Sequence, residues 1–141
     1  MADDSSDFVR SMGIATSGLR AQAGRMRVIS ENIANADSTA PTAAGNPYRR
    51  KVPTFSSALD RTLDARVVTL GKIRTDQSAF RVKHEPSNPA ADAAGNVKYP
   101  NVNPLVEMTD MREAQRSYEA NLNIISATRR MIQRTLDILK A

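Results

Sequence analysis

The sequence predicts a mainly α protein, with long N- and C-terminal helices pairing as a coiled-coil-like bundle and a small β or irregular segment between them. Near the N-terminus a seam runs Phe8, Met12, Ala15, Leu19, Gln22, Met26, Ile29, Ile33, stepping by four and three residues in alternation. Near the C-terminus a second seam runs Met108, Met111, Gln115, Tyr118, Leu122, Ile125, Arg129, Ile132, Leu136, Leu139. This is the 3.5-residue period of a seam that faces another helix. Between the seams, Pro, Gly and Asn recur too often for a third helix. The organisation that follows is one domain over 1–141, with an N-terminal helix to residue 37, a central segment over 38–102 and a C-terminal helix over 103–141.

The first helix has Ser5, Ser6 or Asp7 as caps, and Asp3, Asp4 and Asp7 suit the positive end of its dipole. Asn35-Ala36-Asp37-Ser38 followed by Pro41 reads as its stop. In the centre, Tyr48–Phe55, Ala65–Leu70 and Ser78–Lys83 are β-compatible, while Pro53 argues against a central strand. The stretch from Glu85 to Asn96 is rich in turn formers and reads as a loop with little to bury. The second helix has the clearest start: Asn103 is a good N-cap, and Pro104 suits the first helical position, where its missing N–H is no loss. No Gly or Pro interrupts the chain from there to Lys140.

The composition narrows the function. With three Phe, three Tyr and no Trp in 141 residues, the core is modest. No cysteine is present, which removes disulfides and thiolate metal sites. The acidic opening Asp3, Asp4, Asp7 is unlike a cleaved secretory signal, and no run approaches the roughly 20 apolar residues of a membrane span. A net charge of +5 raises nucleic acid as a partner. The charge is diffuse, however, its densest cluster being Arg49-Arg50-Lys51, and a basic helical nucleic-acid-binding protein is the alternative of a different class. Arginine outnumbers lysine fifteen to five, which suits forked hydrogen bonds at protein interfaces. His84 is the only histidine, and neither a nucleophile elbow nor a phosphate loop is present. The residues thus predict no enzyme, no catalytic, cofactor-binding or metal site, and no small-molecule substrate. Gln22, Gln115 and Arg129 interrupt the seams, where polar residues fix register or partner choice.

Ser17–Gln22 (SGLRAQ) followed by Ile29–Ser38 (ISENIANADS), the basic run Tyr48–Lys51, the stretch Pro89–Pro104 and the helix Glu107–Asn121 together resemble the axial rod and hook proteins of the bacterial flagellum, and within them the proximal-rod branch. The positions that match the family signature are Asn32, Asn35, Asn101, Pro104, Gln115, Arg116 and Asn121. Where the family has an Asp-Pro-x-His pattern, this chain has Glu85-Pro86-Ser87-Asn88. The resemblance implies a structural subunit of the basal-body rod that assembles helically, transmits torque and forms part of the axial export channel; another component of the same group is the nearest alternative. It also implies export by the flagellar type III apparatus without a cleaved signal, and a location in the rod where it crosses the periplasm. The implied partners are its own copies, other rod proteins, and components of the membrane ring and export gate. From the seam pattern the expected assembly interface is Phe8, Met12, Leu19, Met26, Ile29 and Ile33 on the first helix and Met108, Met111, Tyr118, Leu122, Ile125, Ile132, Leu136 and Leu139 on the second.

Overall fold

Two helices flank six short strands. The structure, a computed structural model, describes residues 2–140, and side chains from Ser6 onward. Helix α1 spans Ala2–Ala34 and helix α2 Pro104–Lys140. Between them lie β1 (Lys51–Val52), β2 (Phe55–Asp60), β3 (Ala65–Leu70), β4 (Arg74–Thr75), β5 (Arg81–His84) and β6 (Asn96–Tyr99). The described chain is 49% helical and 18% strand, so the mainly α expectation is corrected to mixed α/β with a β-rich centre. The reason is local. Short β-branched runs in the centre find antiparallel partners and close three two-stranded sheets, β1 with β4, β2 with β3, and β5 with β6.

The β2–β3 hairpin pairs Phe55 with Leu70 through to Asp60 with Ala65. Its turn is held by the Asp60 carboxylate, whose Oδ1 accepts from Thr62 N at 2.8 Å and Leu63 N at 3.3 Å. Asp64 sits at φ +46°, in the left-handed region that Asp tolerates better than branched residues. Strand β6 lies just past the turn-rich stretch, where Gly95 takes φ +79°. Val97 and Tyr99 of β6 pack with Ala90 into a small buried cluster, so this region buries more than its composition suggested.

Contacts divide the chain into two compact units. The first takes residues up to Met26, Thr54–Lys72, and Glu113 onward; the second takes Arg27–Pro53 and Ile73–Arg112. In the first unit the hairpin lies against α1 over glycines. Leu63 occupies the space above Gly13, and a Cβ on Gly24 would come within 2.7 Å of Leu70 Cδ2. Val68 N donates to Ser17 Oγ at 3.3 Å, and Arg10 Nε donates to Leu63 O at 3.1 Å. The helices run antiparallel there, with Gly18 against Asn121 and Arg25 in an ion pair with Glu113 at 3.5 Å. In the second unit Asn32 of α1 meets Glu107 of α2 at 3.0 Å. Positions 18, 25 and 32 are seven residues apart, one heptad each.

At their ends the helices differ. Asn103 caps α2 as its composition suggests, Oδ1 accepting from Leu105 N at 3.1 Å, and Pro104 is the first helical residue. Helix α1 instead begins at Ala2, so Ser5, Ser6 and Asp7 lie inside it; the side chains of Asp3, Asp4 and Ser5 fall outside the described ones. Asp7 pairs with Arg10 one turn on, at 3.7 Å.

The close approach at Gly18 yields a prediction. A Cβ there would lie 2.8 Å from the Asn121 amide. Gly18→Leu is therefore expected to destabilise the isolated protein by about 1–3 kcal/mol through overpacking, despite better helix propensity, and Asn121→Ala in the same chain should recover at least half. Urea unfolding measures both; a neutral or stabilising Gly18→Leu would show that the helices do not touch at this point.

Candidate assembly interface

The predicted seam of α1 is sheltered throughout. Ala15 and Ile29 are buried, and Phe8, Met12, Leu19, Gln22, Met26 and Ile33 are half-buried. The α2 seam divides. Met111, Tyr118, Ile125 and Ile132 are half-buried, whereas Met108, Leu122, Leu136 and Leu139 are 52%, 42%, 50% and 62% exposed. The sheltered stripe of α2 reads Glu107, Met111, Ala114, Tyr118, Asn121, Ile125, Thr128, Ile132, again stepping by four and three. Every second position of that stripe is small or polar. The large apolar residues Met108, Leu122 and Leu136 each stand one residue to its side and face outward, as do Gln115 and Arg129. On the other flank Ile124, Met131 and Ile138 are exposed as well. So α2 presents exposed apolar side chains on both flanks of its sheltered stripe.

The signature residues have distinct structural tasks. Asn32 is 1% exposed and uses its whole amide: Nδ2 donates to Lys51 O at 2.8 Å and Glu107 Oε2 at 3.0 Å, while Oδ1 accepts from Lys51 N at 2.9 Å and Tyr48 O–H at 2.8 Å. An aspartate could accept these bonds but not donate, and a leucine could do neither. Asn101 holds the N–H of Arg50, the residue preceding Lys51. Its Oδ1 accepts from Arg50 N at 2.8 Å, and its Nδ2 donates to Asp76 O at 3.1 Å and Ser78 Oγ at 2.8 Å. Asn35 follows the last residue of α1 and donates to Glu31 O at 2.8 Å. Asn121 covers Gly18 and donates to Ser117 O at 3.0 Å, while Gln115 and Arg116 are exposed.

Sequence reasoning missed the group at the centre of this network, Glu107, which is 1% exposed. Arg50 Nε donates to its Oε1 at 2.6 Å, a charge-assisted bond, and Arg50 also pairs with Asp110 at 3.7 Å and Asp76 at 3.8 Å. An acidic residue in the first turn of a helix invites a dipole explanation. The available signal was a run of three basic residues needing counter-charges. Nearby, Arg49 stacks over Phe80 at 4.2 Å, and Arg81 NH2 donates to Ala36 O at 2.7 Å, just after α1 ends.

Several titrating groups are perturbed by this bonding. The Lys51 ammonium donates to Glu31 Oε2 at 2.9 Å, which holds the Glu31 carboxyl below its ordinary range and raises Lys51. The Asp76 carboxyl is lowered chiefly by the backbone N–H of Ser78, 2.8 Å away. Glu85 is lowered chiefly by the Tyr99 hydroxyl, which donates to it at 2.8 Å, and the same bond raises Tyr99. Burial raises Tyr48. Among the described residues no three His, Asp or Glu side chains gather as a metal ion would need, and no helix is long and apolar enough to cross a membrane.

The sheltered helix pair, the flanking apolar positions and the saturated asparagines define a structural assembly protein. Residues 12–40 match the family described as flagella basal body rod protein, and residues 93–138 match the flagellar basal body rod FlgEFG protein C-terminal region. The chain is 52% identical over 128 residues to the flagellar basal-body rod protein FlgC of Agrobacterium fabrum, covering 91% of this chain and 92% of the relative. It is 38% identical to the protein of that name from Bacillus subtilis (92% and 97% covered) and 37% identical to that from Aquifex aeolicus (95% and 98% covered). The chain belongs to the flagellar basal-body rod protein FlgC family. It is a structural rod protein and not an enzyme, it resides in the flagellar basal body, and it assembles with other basal-body components.

The Glu85–Tyr99 bond gives a pH prediction. A carboxyl whose folded pKa lies below its ordinary 4.5 adds stability above that value, and the stability is lost as pH falls through the folded pKa. Glu85→Gln is therefore expected to lower the melting temperature at neutral pH, and the gap to the parent should narrow as pH falls below 4.5 and through the lowered folded value. Melting curves across pH decide this: a gap that stays constant on acidification would mean that the Glu85 charge contributes nothing.

Proposed function

We propose that this chain is a subunit of the proximal rod that acts as one domain over 1–141, assembling helically with its own copies and with other rod proteins to transmit torque and line part of the axial export channel. It leaves the cell through the flagellar type III apparatus without a cleaved signal, crosses the periplasm as part of the rod, and meets membrane-ring and export-gate components at the inner end. Repetition of one contact without closure gives such a helical assembly. The observation that carries the proposal is the exposure of Met108, Leu122 and Leu136, separated by two heptads each, on a helix whose inner stripe is already covered. Of the α1 seam, the half-buried Phe8, Met12, Leu19, Met26 and Ile33 belong to the proposed interface, whereas Ile29 is buried within the subunit.

Because Leu122 and Leu136 are partly exposed in the isolated chain, their replacement separates assembly from folding. Leu122→Asp with Leu136→Asp should leave isolated stability within about 0.5–1 kcal/mol of the parent, yet abolish swimming and rod formation in cells carrying only the variant. Asp137→Ala, also exposed, should leave both unchanged. Swimming by the double variant would remove this face from the interface.

A further inference from the structure

We infer that the Asn32–Glu107–Arg50 cluster sets the register in which α1 and α2 meet within the second unit. The inference does not depend on the rod assignment. The apolar contribution to the pairing is permissive, because α2 repeats Met111, Tyr118, Ile125 and Ile132 at one heptad position, and a shift by seven residues exchanges one large apolar side chain for another. The polar contribution is not permissive. Along the other sheltered position α2 carries Glu107, Ala114, Asn121 and Thr128, four side chains of different chemistry, and only Glu107 supplies a carboxylate.

A shift of one heptad translates the helix by about 10 Å. It would carry Glu107 away from Asn32 Nδ2 and from the Arg50 guanidinium. Arg50 is held apart from α2 by its place beside β4, where its carbonyl accepts from Asp76 N at 2.8 Å. Asn32 is equally fixed, since both backbone groups of Lys51 and the Tyr48 hydroxyl bond to its amide. A one-heptad shift therefore leaves the buried Asn32 amide donor without its carboxylate and the Arg50 guanidinium with Asp76 alone, and the loss of a buried partner is costly. Gln22, by contrast, has a buried Oε1 with no protein partner among the described residues, so it penalises no register in particular.

The test uses spin labels, for which the absence of native cysteine leaves a clean background. Cysteines replace Ala34 and Arg112, both exposed and both in the second unit. The otherwise unaltered chain should give one narrow distance distribution. The apolar replacement Asn32→Leu, Arg50→Met, Glu107→Leu removes the buried ion pair as a unit, an exchange that commonly preserves stability, and leaves the part-exposed Asp76, Asp110 and Lys51 backbone within reach of water. It should keep its helix content and show a second distance population, displaced by the heptad translation. The control Arg25→Met with Glu113→Gln removes the Arg25–Glu113 ion pair between the helices and should keep the single distance. A single unshifted distance in the triple variant would overturn the inference. So would loss of helix content in that variant, which would make the cluster a source of stability instead, and so would a second population in the control.

Discussion

A carboxylate that is 1% exposed must be paired, and the pairing of Glu107 constrains the second unit. Its two oxygens take Arg50 and Asn32, one from the segment after α1 and one from α1 itself. Those residues are in turn saturated: Asn32 clasps Lys51 through both backbone groups, and Asn101 holds the Arg50 N–H while reaching Asp76 and Ser78. The short strands β1 and β4, two residues each, could not hold this arrangement by their own ladder. Side-chain amides do the work of a wider sheet.

This solution leaves large apolar side chains unspent. Where an ordinary helix pair would bury leucine and isoleucine at every seam position, this one places Gly18, Arg25 and Asn32 against Asn121, Glu113 and Glu107. Small residues allow close approach, and polar ones discriminate between registers. Met108, Leu122 and Leu136 remain exposed on the outer flank, the surface proposed above for assembly.

Much of the helical frame was legible in the sequence. Asn103-Pro104 marks the start of α2 because cap and fixed φ act locally, and Ala65–Leu70 announces β3 by its β-branched run. The balance of fold class was not legible, since β1, β4 and β6 are too short to show a period and form only when a partner strand arrives. The sheltered stripe of α2 was half legible. Met111, Tyr118, Ile125 and Ile132 stand out by hydropathy, but Glu107, Ala114, Asn121 and Thr128 are sheltered because of what faces them, and hydropathy carries no information about a partner. Glu107 in particular looks like any acidic residue in a first helical turn until Arg50 is seen beside it.

The backbone amides of Arg50 and Lys51 report directly on the cluster, because both are held by side-chain oxygens and not by a sheet ladder. Hydrogen exchange at these two amides in a Glu107→Ala chain is the most direct measurement. The loss of the carboxylate from a buried pair is expected to cost about 3–5 kcal/mol, and exchange at Arg50 and Lys51 should accelerate well beyond that of amides within β2 and β3. Unchanged protection at both positions would show that the segment is held without Glu107, and would contradict the account.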